Sequence, residues 1–280
     1  MRMRARSVLP LTAVLLLLAG LLLLWFRNRD CSLYRGGPLG AAQYRALAAS
    51  TGWQTDERPV APGVILRGLL HRPEQKAKPW VLFFGGNGPD LLRRSQDALD
   101  QLRGSHDIGL AVWAYRGYDG SDGTPSPTVF RSDARALYRY LQEDVCGRDS
   151  AVHVVGFSMG AEVALRLAAD LQADGQPAAS LTLLSSSLDD YCLLPRAWYR
   201  QWLLFPDRME VVGLIDRLRG PIVIAHGSAD GINPVEQART VASTLGTRGQ
   251  YVELPGTGHV ATLFDSRVHH AVLRLLGEEP

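Results

Sequence analysis

Short apolar runs alternate with longer amphipathic stretches along most of this chain, and that alternation restricts the fold more than any other feature. Trp80–Phe84, Leu110–Tyr115, Val152–Phe157, Leu181–Leu184, Ile222–His226 and Tyr251–Leu254 are rich in β-branched, aliphatic or aromatic residues and bounded by Gly, Pro or Ser. Continuous apolarity over so few residues suits strands buried on both faces, as in a parallel sheet. Between them, Asp90–Arg103, Thr128–Asp144, Met159–Ala173, Pro234–Leu245 and Thr262–Leu276 have helical patterns. The alternation predicts an α/β fold with a doubly wound, mostly parallel sheet. Trp53–Leu70 alternates polar and apolar residues around Pro59, Pro62 and Gly63, which predicts a β-hairpin ahead of that sheet. In such sheets ligands bind at the carboxyl ends of the strands, so the loops that follow the strands are where chemistry is to be sought.

One stretch breaks the rhythm. Ser185–Val212 separates two strand candidates and carries Tyr191, Trp198, Tyr199, Trp202 and Phe205 among several leucines. It is too aromatic for a solvated loop. It reads as a small helical cap, at about residues 185–213, over the carboxyl edge of the sheet; the alternative is a crossover helix with a bulky face. Trp198, Trp202 and Phe205 are the candidates for lining an apolar substrate pocket.

The N-terminus has a different character. From Leu9 to Phe26 there is no charged residue, and Leu dominates. About 18 apolar residues at 1.5 Å rise come close to the thickness of a bilayer's hydrocarbon core. A cleaved signal peptide has a shorter apolar region and a small-x-small cleavage site. Here the run ends in Trp25-Phe26-Arg27-Asn28-Arg29, an aromatic and basic interface. Residues 1–30 are therefore read as one uncleaved transmembrane signal anchor; were the signal cleaved, the protein would be secreted. Arg2, Arg4, Arg6 and the amino group outweigh Arg27 and Arg29, which puts the N-terminus in the cytoplasm and the remainder outside. Residues 31–52 read as a linker with a short Ala-rich helix, Ala41–Ala49, and residues 53–280 as one α/β domain.

Composition excludes several classes. With 46% hydrophobic and 21% charged residues the chain is neither disordered nor collagen-like. A net charge of +2 leaves no electrostatic footprint for nucleic acid. Cys31, Cys146 and Cys192 are too few for a disulfide framework, although one bridge could form in an oxidising compartment. No Cys-x-x-Cys or His-x-x-x-His spacing points to zinc.

The strongest local signal is Val152–Phe157, then Ser158-Met159-Gly160, then a helical run from Ala161. A serine nucleophile needs its oxygen raised above the sheet on a strained strand-to-helix turn, and Gly156 and Gly160 leave room for that backbone. The helix N-terminus stabilises developing negative charge beside Ser158. A serine hydroxyl also needs a base. Of seven histidines, His259 lies in Gly256-Thr257-Gly258-His259, just past the last strand candidate. A glycine-rich loop there can aim an imidazole at a serine on another strand. His226, at the end of a strand, is the rival base, though a packing role suits it better. Asp230 closely follows that strand and is placed to hold the His259 ring; its alternative role is a helix N-cap before Pro234. Two backbone N–H groups are needed for an oxyanion. Met159 N–H follows the nucleophile, and Asn87 N–H in Gly85-Gly86-Asn87-Gly88 is the candidate for the second. A phosphate-binding reading of that loop fails for want of Lys-Ser or Lys-Thr.

With these motifs the sequence resembles the α/β-hydrolase superfamily over roughly residues 53–278. It is most similar to the branch with a His-Gly-Asn loop, a Tyr-Arg-Gly-Tyr-Gly loop and Gly-x-Ser-x-Gly. The second loop is matched by Tyr115-Arg116-Gly117-Tyr118-Asp119-Gly120-Ser121-Asp122-Gly123-Thr124-Pro125-Ser126. The chain departs at Gly85, where the family usually has His, and at Asp119, where it usually has Gly. Arg116 reads as a scaffold residue bracing its loop, with substrate contact as the alternative. The resemblance implies a serine hydrolase acting on esters, thioesters or amides through an acyl-enzyme on Ser158, without metal or organic cofactor, and it does not fix the substrate; small-molecule or lipid-like acyl substrates are expected from the membrane anchor alone. A peptidase or aminopeptidase shares the fold, as do haloperoxidases and carbon–carbon hydrolases. A reading from another class is a non-catalytic, membrane-tethered binding module. The oligomeric state is not legible in the sequence.

Overall fold

The computed structural model describes residues 11–27, 34–49, 52–75, 78–186 and 211–279. The strands are β1 (Trp53–Ala61), β2 (Val64–His71), β3 (Trp80–Phe84), β4 (Gly109–Trp113), β5 (Val152–Phe157), β6 (Ser180–Leu184), β7 (Ile222–Gly227) and β8 (Gly249–Leu254). They form one sheet in the order β1-β2-β4-β3-β5-β6-β7-β8. β1 and β2 make the expected hairpin, with a register shift between Pro59 and Ala61, and β2 runs antiparallel to β4. Every pair from β4 through β8 is parallel. Strands β3 to β7 are buried along their whole length, as their unbroken apolar sequences require, while the outer strands β1 and β8 are partly exposed.

The helices are α1 (Leu11–Arg27), α2 (Ala41–Ala48), α3 (Leu91–Arg103), α4 (Pro127–Tyr140), α5 (Met159–Ala173), α6 (Val211–Arg217), α7 (Val235–Ala242) and α8 (Ser266–Leu276). Two expected helices are subdivided. Thr128–Asp144 is α4 followed by a π-helical turn, Leu141–Val145. Thr262–Leu276 is a 3-10 turn, Val260–Phe264, and then α8. The break falls at Asp265, which is extended (φ −81°, ψ 124°) and accepts the Arg267 N–H at 3.0 Å as an N-cap. Such a cap stabilises a helix by about 1 kcal/mol.

The chain divides into two units, residues 1–34 with 192–208 and residues 35–191 with 209–280. In the first, α1 coincides with most of the apolar run. At 17 residues it is about 26 Å long, against a hydrocarbon core of about 30 Å. No helix among the described residues is long and apolar enough to cross a membrane. Residues 9 and 10, the start of the expected span, lie outside the described residues, as do 187–210 of the expected cap with Trp198, Trp202 and Phe205.

Residues 35–49, expected as linker and short helix, are built into the second unit. Tyr44 is buried, and its hydroxyl donates to the Gly68 carbonyl at 2.8 Å and accepts from the Gly68 N–H at 3.2 Å. The Gln96 amide donates to Leu47 O at 2.8 Å. A buried hydroxyl with both roles filled is a fixed contact rather than a tether. Cys146 is a free thiol, and Cys31 and Cys192 lie outside the described residues.

Candidate active site

Ser158 stands between β5 and α5 with φ 54° and ψ −118°, a conformation that costs a non-glycine residue about 1–3 kcal/mol. The turn is tight enough to demand glycine on either side. A Cβ on Gly156 would lie 2.2 Å from Gly160 O, and one on Gly160 would lie 2.0 Å from Phe84 O. Both obstacles are backbone and cannot give way. The Ser158 N–H donates to Leu184 O at 2.8 Å, which ties the turn to the end of β6.

The three loops expected to converge do so. His259 Nε2 is 3.0 Å from Ser158 Oγ, and His259 Nδ1 is 2.7 Å from Asp230 Oδ2. A carboxylate only accepts, so Nδ1 carries the proton and Nε2 offers its lone pair to the serine hydroxyl. The Ser158 side is half-buried and the Asp230 side chain fully buried. Phe157 packs against the imidazole with ring centroids 5.0 Å apart.

Asp230 is held from four sides. Its Oδ1 accepts the N–H groups of Ile232 (2.8 Å) and Asn233 (2.9 Å). Its Oδ2 faces both His259 and His226 Nε2, the latter at 3.2 Å. Burial alone would raise this carboxyl's pKa. The hydrogen bonds from His226, His259 and the Asn233 and Ile232 amides more than reverse that, and they hold Asp230 well below the usual carboxylate range. His226 is completely buried; its Nε2 donates to Asn233 O at 2.9 Å. It supports the acid, and no hydrogen bond joins it to Ser158.

Sequence reasoning missed the residues that close this network. Asn233 Nδ2 donates to Ser185 O at 2.8 Å. Ser185, buried at φ 44°, donates from Oγ toward Thr262 Oγ1 (3.0 Å) and lies 3.2 Å from His259 O. Asn233 thus joins the acid loop to the end of β6, and Ser185 joins β6 to the histidine loop. The two loops also lock directly: Ala229 N–H donates to Thr257 O at 3.1 Å and Gly256 N–H to Ser228 Oγ at 2.9 Å. A polar residue just before Pro234 and a run of three serines, Ser185 to Ser187, at a strand end were the available sequence signals, and neither is specific.

On the other side of Ser158 lies Gly85-Gly86-Asn87-Gly88. A Cβ on Gly86 would sit 3.4 Å from Ser158 Cβ, so this backbone runs directly past the serine. The Asn87 side chain turns away and accepts from Arg35 N–H and Tyr118 OH, each at 2.7 Å. Tyr115 OH donates to Gly85 O at 2.8 Å. Met159, beside Ser158, is buried at the first position of α5. Arg116 makes a two-pronged ion pair with Asp133 (2.8 and 2.7 Å), the bracing arrangement expected for it. Among the described residues no group of three or more His, Cys, Asp or Glu side chains is placed to hold a metal ion.

Residues 79–212 match the family model described as alpha/beta hydrolase fold. An uncharacterised protein of Mycobacterium tuberculosis is 31% identical over 206 residues, 71% of this chain and 70% of that protein. Among solved structures, the Pyrococcus furiosus esterase Pf2001 superposes with a TM-score of 0.65 at 15% identity, covering 87% of this chain and 96% of that one. Est1E from Butyrivibrio proteoclasticus, with ferulic acid bound, gives a TM-score of 0.64 at 18% identity over 80% of this chain and 100% of that one. At such identities the two structures speak to the fold, which is the fold built above from strand order and elbow. The family model adds to that from the sequence: residues 79–212 of this chain match the α/β-hydrolase family.

Proposed function

We propose that this protein is a serine hydrolase that cleaves carboxylic ester or thioester bonds through an acyl-enzyme. The observation that carries this reading is the unbroken line from Ser158 Oγ through His259 to Asp230, at 3.0 and 2.7 Å. Ser158 Oγ attacks the carbonyl carbon as its proton passes to His259 Nε2. Asp230 stabilises the resulting imidazolium. The carbonyl oxygen becomes an oxyanion facing the N–H groups of Met159 and Asn87. Collapse breaks the bond to the leaving group, which takes the proton from His259. Water then repeats the sequence, releasing the acid and restoring the serine hydroxyl.

The substrates we assign are small or lipid-like acyl compounds, with Trp198, Trp202 and Phe205 lining their apolar part. The membrane setting rests on the charge-free apolar run from Leu9 to Phe26, most of which forms α1. Leu15 to Leu18, Leu21 and Leu22 are more than half exposed, an apolar surface that needs a non-aqueous partner. In this reading the N-terminus is an anchor with its amino end cytoplasmic and the catalytic domain on the other side.

The test is a fluorophosphonate probe on the full-length protein in detergent, followed by p-nitrophenyl esters and aminoacyl amides. Labelling and ester turnover by the wild type, both absent in Ser158→Ala, are the expected result. Absence of labelling in the wild type overturns the proposal, and turnover of amides alone replaces it with a peptidase.

A further inference from the structure

The chain departs from its family's usual motifs at Gly85 and Asp119, and these two positions bear on the same junction. Helix α3 starts directly after the glycine loop beside Ser158. Its own N-cap residue, Asp90, is left-handed (φ 57°) and makes no side-chain cap. The cap comes instead from Asp119, in the Tyr-Arg loop: its Oδ2 accepts the Leu92 N–H at 2.7 Å. The Asp90 and Leu91 N–H groups also stabilise this carboxylate, although its burial raises the pKa more strongly. Asp119 is 1% exposed, and its N–H donates to Gly37 O at 2.8 Å.

Two features show that the carboxylate, and not the turn, is what position 119 needs. Asp119 has φ 46°, where glycine carries no strain and aspartate does. Burying a carboxylate is also unfavourable unless it is well bonded. Glycine would avoid both costs and lose only the cap. At position 85 the reverse holds. A Cβ there would fall 2.9 Å from Leu91 Cγ and 3.0 Å from Ser95 Oγ, so α3 packs where a side chain would need to begin.

We infer that Asp119 is a positioning residue for the oxyanion loop. By capping α3 from a neighbouring loop it fixes the C-terminal end of Gly85–Gly88, and it takes over the bracing that a side chain at 85 does not give. This rests on the hydrolase reading above. With the cap gone, the loop end moves, and Asn87 N–H no longer meets the oxyanion at the required distance.

The experiment compares Asp119→Gly and Asp119→Asn with the wild type on a p-nitrophenyl ester. It is paired with amide hydrogen exchange across residues 85–94. Glycine suits the backbone at 119, so the first variant folds. Displacing a catalytic group by about 1 Å costs on the order of a hundredfold, so Asp119→Gly is expected to lower kcat by roughly ten- to a hundredfold with KM nearly unchanged. Exchange should accelerate at Leu91 and Leu92 but not at Val129, whose N–H is capped by Ser126 in α4. Asp119→Asn keeps one acceptor for the Leu92 N–H and recovers most of the lost kcat. Unchanged kcat in Asp119→Gly, or an asparagine variant as slow as the glycine one, overturns the inference. If the wild type itself turns over no ester, the hydrolase reading fails. The exchange rates then still decide whether Asp119 holds the loop.

Discussion

The two flanks of Ser158 are built from different materials. On the imidazole side, buried side chains hold the positions: Asp230 takes four donors, His226 and Asn233 brace it, and Ser185 ties the histidine loop to β6. On the opposite side, three glycines and Asn87 present backbone. They are held from outside by Tyr115, Tyr118, the Arg35 amide and Asp119. The tasks differ. A base must carry a proton, which takes a side chain with a fixed tautomer. An oxyanion needs N–H groups at close range, and a Cβ at Gly86 would already crowd the Phe157 ring, 3.0 Å away beside Ser158. The first flank therefore fails when a chemical group is lost, and the second when a position is lost.

Asp230→Asn is the largest test of that contrast. The amide of asparagine points N–H groups at rings that themselves donate, so the His259 tautomer is no longer fixed. A loss of about 10³- to 10⁴-fold in kcat is expected, with the fold retained. The same substitution alters acid stability. Asp230 titrates below its unfolded value, so its contribution is present above about pH 4 and is lost as pH falls through the folded value. Wild type should lose stability more steeply than Asp230→Asn over that acid range, read by urea unfolding at several pH values. Equal slopes would show that the carboxylate is not held as described.

How much of this was legible in the sequence follows the same division. The meeting of Ser158, Asp230 and His259 could be read because each stands in a loop that follows a strand, and strand ends are visible as apolar runs. The braces could not. Asn233 matters through Ser185, 48 positions earlier, and nothing local announces that partnership. Asp119 was visible only as a departure from a motif, without the helix end it caps. His226 was readable as a supporting residue because a strand-end imidazole lies so near the acid. Element limits were blurred where side chains override periodicity: Asp265 interrupts an apolar pattern that otherwise continues from Thr262 to Leu276, and an aspartate before such a run is itself a cap signal.

Asn233→Ala probes the same flank as Asp230 at smaller scale. The backbone of residue 233 still donates to Asp230 and still accepts from His226, so the acid keeps its four donors. What goes is the bond to the Ser185 carbonyl, buried beside a strained φ. An unsatisfied buried carbonyl costs about 1–3 kcal/mol, and that loss should appear in denaturant unfolding. Turnover should fall by less, roughly tenfold at most, because the reacting groups keep their chemistry. A kcat loss as deep as that of Asp230→Asn would mean that Asn233 acts on the carboxylate itself.

Tyr118→Phe makes the complementary test on the glycine side and has the smallest expected effect. It removes one donor to Asn87 Oδ1 and leaves the Arg35 N–H in place. The ring keeps its volume and its edge-on packing with Tyr115, centroids 5.6 Å apart, so no cavity opens. One net hydrogen bond is worth about 0.5–1.5 kcal/mol. In the proposed reaction, though, the loss reaches catalysis directly, because what this flank contributes there is where its N–H groups stand. A roughly three- to tenfold fall in kcat at constant KM, with a stability change within about 1 kcal/mol, is the expected signature. On the imidazole side, removing a brace costs stability first; on this side it costs rate first. A Tyr118→Phe variant that loses stability while keeping its full kcat would erase that distinction.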